Sequence, residues 1–273
     1  MQRAGAAVVG LIGLHVFRQA AREQALHVAG LFALLLIAAH LLIGQISAGQ
    51  EVKILKDLGL AGSTVAGLFI AVLAGTGLVA GESGRGAMHI TLAAPVRRHE
   101  LIFGRFAGLA LVLAAALGMM AATSYGLLAW TALTASEAET RGWEAPAADP
   151  ALLRAYLLIF MELLVVAAIA LLFATFASRV LAAAMTVAMY VVGHFNADLR
   201  AIEEVTGAGA VAVGAAGLSY VLPDLAPFNV SAEVVHGQPV TAAYLALTAG
   251  YGLVYVAALL LVAAFIFSRR DLQ

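Results

Sequence analysis

Four polar residues stand within or at the edges of long apolar runs: His40, Glu162, His194 and Asn196. An ionisable group in hydrocarbon is costly, so it is either partnered or used. Glu162 could relay a proton or line a substrate path, or it could be a carboxyl group hydrogen-bonded to a neighbouring helix. Arg154 precedes it by about two helical turns, which puts both on one face but too far apart for a direct pair. His40, His194 and Asn196 lie near the ends of their runs, where interfacial solvation lowers the cost. A different chemistry is suggested by Gly81-Glu82-Ser83-Gly84, a G-x-S-G string of the kind that surrounds a serine nucleophile. Such a serine needs a histidine base within reach in a sheltered cavity. Here Ser83 stands between Glu82 and Arg85 in a charged loop, and the last apolar run has no histidine.

Other chemistries are absent from the sequence. There is no G-x-x-x-x-G-K-[ST] string to cradle nucleotide phosphates, so if ATP drives this chain another chain binds it. There is no H-E-x-x-H, the seven histidines are dispersed, and there are no cysteines, which removes zinc-thiolate and thiol chemistry. No catalytic residue, metal or cofactor is expected in this chain.

The elements that must carry these residues follow from composition. The chain is 273 residues long, 63% hydrophobic and 11% charged, with a mean hydropathy of +0.98. A soluble domain is about a quarter charged, so a water-soluble globule is excluded. At about 20 to 25 residues per crossing there is room for about six spans and no large soluble domain. The fold class expected is an all-α polytopic membrane protein, a single domain over 1–273. Residues 1–24, with Arg18, Arg22 and Glu23, read as an interfacial helix. Spans are expected at about 25–46, 58–80, 101–133, 151–177, 180–195 and 241–267. Residues 47–57 read as a polar connection, 81–100 as a charged loop, and 134–150 as an acidic loop with proline. Residues 197–240 form an external or re-entrant helical region; within it 205–222 is apolar but small, and could be re-entrant, interfacial or a seventh span.

Charge placement chooses among these. With six spans and a cytoplasmic N-terminus, ten of the 15 basic residues fall inside and five outside, as the positive-inside tendency requires. Making 205–222 a true span would put Arg269 and Arg270 outside. The net charge of -1 gives no reason to expect nucleic acid as a partner. Gly77-x-x-x-Gly81 and Gly104-x-x-x-Gly108 permit close helix approach, either within the chain or at a dimer seam. Between residues 81 and 108, an apolar patch (Met88 to Ala94), Pro95 and the pair Arg97-Arg98 lead into the next helix. Such an element can dock on a cytoplasmic partner, or it can simply fix topology.

In this loop Glu82, Thr91-Leu92-Ala93-Ala94-Pro95-Val96-Arg97-Arg98 and Phe103-Gly104-Arg105 resemble the corresponding stretch of ABC-2 type permeases, in particular the NosY-like branch associated with multicopper-enzyme maturation. Lys56-Asp57-Leu58-Gly59-Leu60, Tyr220 to Asn229 and the Phe267-Ser268-Arg269-Arg270-Asp271 ending agree in order and placement. Arg105 stands where a lysine is usual, and Ser83-Gly84-Arg85-Gly86-Ala87 lacks the usual threonine. The resemblance implies a transmembrane subunit in the inner (cytoplasmic) membrane with both termini cytoplasmic. It also implies a second permease protomer, more readily as a homodimer than a heterodimer, and a separate ATPase that binds ATP and magnesium. In that frame Glu82, Arg85, Pro95, Arg97, Arg98 and Glu100 face the ATPase, and Arg18, Arg22 and Glu23 lie on the interfacial helix. Pro223, Asp224, Pro227, Phe228 and Asn229 belong to an external gate region, where an extracytoplasmic accessory protein could also bind. A non-transporting scaffold that relays ATPase motion to such a partner is the alternative, and an intramembrane G-x-S-G protease a third.

Overall fold

The computed structural model describes residues 2–20, 25–46, 50–80, 98–196 and 222–269, which are all-helical with no strand among them. In chain order the helices are α1 (Gln2–Ala20), α2 (Leu26–Ile46), α3 (Glu51–Ala80), α4 (Arg98–Thr134), the single turn α5 (Glu137–Thr140), α6 (Ala151–Ala174), α7 (Arg179–His194), α8 (Ser231–Val235) and α9 (Ala242–Arg269). A 3-10 turn, Ala226–Phe228, precedes α8.

Among the described residues five helices, α2, α3, α4, α6 and α9, are long and apolar enough to cross a membrane. The sixth expected span, 180–195, is the shorter apolar helix α7, 16 residues long. At about 1.5 Å per residue it measures about 24 Å, less than the roughly 30 Å of a hydrocarbon core. The 37 residues of α4 measure about 55 Å, so that helix must tilt or project beyond the bilayer.

Apolar periodicity explains the order of burial. Helix α6 is apolar on every side, and it is the helix most enclosed by the others, packing against α3, α9 and α4. Helix α2 is the least enclosed, with Leu31, Leu34, Leu35, Leu41 and Leu42 all exposed on its surface. In water such a face would be an aggregation surface; in lipid it needs no partner.

Two boundaries differ from the sequence expectation. Residues 47–57 are not wholly a connection, because α3 begins at Glu51. Val52 and Leu55 are buried, and Lys56 sends its amine to the Pro146 carbonyl at 2.8 Å, so the polar residues there decorate a packed helical start. The acidic loop 134–150 contains α5 and is tied down at its end, where Tyr125 donates to the Asp149 carbonyl at 2.8 Å.

The closest approach of one helix backbone to another at a described glycine joins α1 to α4. A Cβ added at Gly108 would lie 2.6 Å from both the Gly13 carbonyl oxygen and Val16 Cβ. One added at Gly104 would lie 2.8 Å from Ile12 Cβ. The Gly104-x-x-x-Gly108 pattern is therefore an intrachain crossing in which missing side chains let two backbones touch. Of the other pattern, a Cβ added at Gly77 would lie 3.4 Å from the Arg179 guanidinium, and Gly81 lies outside the described residues.

Candidate functional site

Three groups of polar residues are built onto this bundle. The first is enclosed by helices. Glu162, on α6, is 1% exposed and its Oε1 lies 3.3 Å from Nε2 of His194 at the end of α7. The turn Thr175–Ser178, in which the Ser178 side chain accepts from the Leu181 amide, sets α6 and α7 antiparallel and brings the two residues level. The other His194 nitrogen, Nδ1, sits 3.1 Å from the Tyr190 carbonyl, and the two rings stack obliquely at 4.6 Å. The Tyr190 hydroxyl is hydrogen-bonded to Glu162. Glu162 and His194 were each legible in the sequence, but their meeting was not: 31 intervening positions hide a contact that only the hairpin turn creates. Arg154, on the same face as Glu162, turns away and donates to the Val240 carbonyl. His40 sits partly exposed on α2, and Asn196 donates to the Leu222 carbonyl at 3.1 Å.

The second group caps the end of the bundle where α3 starts and α6 begins. Lys53 and His236 both reach the carboxylate of Glu144, His236 at 3.3 Å. Three segments distant in sequence are thereby joined. The Lys53 ammonium, and after it the His236 ring, holds the exposed Glu144 carboxyl below its ordinary value. Gly237 has φ +69 beside Ala145 and Glu144, a left-handed conformation that glycine adopts without strain and that lets this turn close against the loop. Beside the node lies an open cleft of about 500 Å³, lined in part by Lys53, Asp57, Asn229, Glu233 and His236.

From this cap the segment 222–229 folds back onto the bundle. The Leu225 amide donates to the Gly193 carbonyl at 3.0 Å, the Asp224 amide to the Tyr251 hydroxyl at 2.9 Å, and the Tyr244 hydroxyl to the Pro227 carbonyl at 2.7 Å. Phe228 is fully buried against Gly252, and Pro223 is buried as well. Asn229 is exposed and accepts from the Ser231 amide, starting α8. All five residues assigned to this region from the sequence thus lie on one folded-back piece. The Lys53–Glu144–His236 node was not foreseen, because exposed charges carry no periodic signal.

The third group lies at the opposite end. Arg98 is the first residue of α4, Glu100 lies in its first turn, and Arg18 is exposed in the last turn of α1. Arg105 is buried within α4. Arg18, on α1, and Arg98 and Glu100, on α4, thus belong to the two helices that the crossing clasps together. Glu82, Ser83, Arg85, Pro95, Arg97, Arg22 and Glu23 lie outside the described residues, as does 205–221.

No His, Asp or Glu group able to hold a metal ion occurs among the described residues. A family model described as an ABC-2 family transporter protein matches residues 12–272. The chain belongs to that family: it is a multi-pass membrane protein, the permease subunit of an ABC transporter, and its partner is an ABC ATPase. No curated protein matches the chain.

Proposed function

We propose that the chain couples ATP hydrolysis on a separate ATPase to export across the inner membrane, with six spans, both termini cytoplasmic and a path between two copies of the permease. Its own residues perform no catalysis; ATP and magnesium belong to the partner. Residues 82–100, with Glu82, Arg85, Arg97, Arg98 and Glu100, receive the movement, and the clasped α1–α4 pair carries it into the bundle. The observation that carries this reading is the α1–α4 crossing. It joins the N-terminal helix, by backbone contact, to the helix that starts where the charged segment ends. A push at either cytoplasmic element would then move both.

In this arrangement α7 is the sixth span. Its shortness is met by the segment 222–229, which covers the end of α7 through Gly193 and Asn196. That places the Lys53–Glu144–His236 node and the folded-back segment on the external side as the outer gate. Reversing Arg97 and Arg98 to Glu should abolish co-purification with the partner ATPase. Unchanged recovery of the complex would contradict the assignment.

A second reading, in which the chain moves no cargo and relays ATPase motion to an extracytoplasmic protein, is favoured by the open cleft beside the node, whose mixed charges suit a polar protein surface. A stable complex through that cleft, together with a dimer lacking a continuous cavity, would support it over export.

A further inference from the structure

Glu162 and His194 form a contact that the transfer of motion does not require. Because a carbonyl oxygen only accepts, Nδ1 of His194 carries the hydrogen it shares with the Tyr190 carbonyl. Nε2, facing Glu162, is then the nitrogen that gains or loses a proton. With one proton between them, the two groups make either a carboxylic acid donating to the ring or a carboxylate accepting from an imidazolium. Without it, a buried carboxylate oxygen that has no hydrogen-bond partner faces the nitrogen lone pair of a partly buried ring. Arg154, the cation of the same helix, is committed to the Val240 carbonyl.

The end of α7 that carries His194 also holds the segment 222–229. The residues on either side of the histidine make the attachment: Gly193 accepts from Leu225, and Asn196 donates to Leu222. A Cβ at Gly193 would come within 2.9 Å of the Leu225 side chain, so the two pieces touch with no slack.

We propose that Glu162 and His194 form a proton-binding site, and that the bound proton keeps the segment 222–229 closed against the end of α7. Loss of the proton sets charge against lone pair, displaces the helix end and loosens the segment. The other ionisable groups on the surrounding elements are few. Tyr190 belongs to α7, Tyr156 to α6, and Tyr251 and Tyr255 to α9; tyrosines stay neutral where histidine titrates. Helix α3 has none between Asp57 and Ala80, and on α4 Tyr125 is bonded at the loop end. Asp224, in the segment itself, has a buried Oδ1 without a partner and is the competing candidate. The consequence for gating rests on the assignment of 222–229 to the outer gate. The test below omits the ATPase, so its failure would leave the permease assignment standing.

The chain has no cysteine, so one introduced thiol reports on one place. Val230→Cys replaces a residue 4% exposed at the end of the segment, and Gln238→Cys, at an exposed position, calibrates thiol reactivity at each pH. Maleimide labelling is followed for the full chain in lipid nanodiscs from about pH 5 to about pH 8, the interval where histidine changes charge. Relative to Gln238→Cys, the Val230→Cys rate should rise with pH, by up to about tenfold per pH unit, the slope for one proton released per opening. Adding Glu162→Gln, whose amide can donate to Nε2 at any pH, should leave the rate slow and flat. His194→Gln should displace the midpoint, and Asp224→Asn should leave the slope in place. A flat rate in the Val230→Cys protein, an unchanged slope with Glu162→Gln, or a slope abolished by Asp224→Asn would each overturn the proposal. Where Glu162→Gln does not fold, judged by gel filtration and by Gln238→Cys labelling, the slope in the Val230→Cys protein and the His194→Gln midpoint decide.

Discussion

Lys53 and His236 approach the Glu144 carboxylate from segments far apart in the chain, and nothing in the sequence singles out either residue. The sign of the pH effect follows from the depressed Glu144 value. Its contribution to closing the cap is complete above the ordinary carboxylate range and is lost as pH falls through the lowered value in the folded protein. A plot of thermal midpoint against pH in detergent should therefore fall on the acid side, and Glu144→Gln should flatten that limb. An unaltered limb would show that the node is inert. The buried hydroxyls behave differently. Tyr156 donates to Ser124 at 2.8 Å, and Ser63 lies within 3.4 Å of the same hydroxyl, linking α3, α4 and α6. Tyr156→Phe should cost about 0.6 to 2 kcal/mol, the range for hydrogen bonds between membrane helices, read as a lowered unfolding midpoint. At this scale the sequence was only partly legible: an ionisable residue in an apolar run announces that it needs a partner, but not which one. Glu162 was visible, whereas Tyr190 resembled any aromatic on a helix face.

Helix positions were far more legible than their contacts. Runs of apolar residues about as long as a bilayer is thick define α2, α4, α6 and α9 to within a few residues, because hydrocarbon admits no unpaired backbone and the helix must persist throughout. The start of α3 was misplaced because charge was taken as the end of order. Lys56 is nearly fully buried, yet it keeps its amine bonded to a loop carbonyl. The glycines show where side-chain absence is required. Gly108→Ala should destabilise the α1–α4 pair by about 1 to 3 kcal/mol, since its new carbon would meet backbone and a β-branched carbon. Gly13→Ala, with its nearest atom at 3.3 Å, should cost less. Gly118→Ala meets nothing within 4 Å and should be neutral, or stabilising by up to about 1 kcal/mol. Denaturation midpoints of the three variants check that order, and equal values would remove the crossing as a structural requirement. Phe228→Ala, which empties a fully buried site beside Gly252, should cost about 3 to 5 kcal/mol and raise labelling of the Val230→Cys position.

For the whole molecule, the small charged fraction carries most of the message. Among the described residues, the acidic groups gather at the end that holds Glu144, Asp149 and Glu233, while Arg98 and Arg179 stand at the other. That asymmetry was readable from composition once the spans were drawn. The folded-back segment was not, because proline and glycine stop a helix without saying where the chain goes next. The family match extends over nearly all the described helices, so the bundle is the permease part of an ABC transporter, whose family implies an ABC ATPase as partner. The most direct test measures ATP hydrolysis by the complex of this chain and its ATPase in nanodiscs, with Arg97 and Arg98 intact, both changed to Lys, or both changed to Glu. The complex should hydrolyse ATP faster than the ATPase alone, with Lys retaining the stimulation and Glu removing it. Full stimulation with both arginines changed to Glu would contradict the proposed coupling.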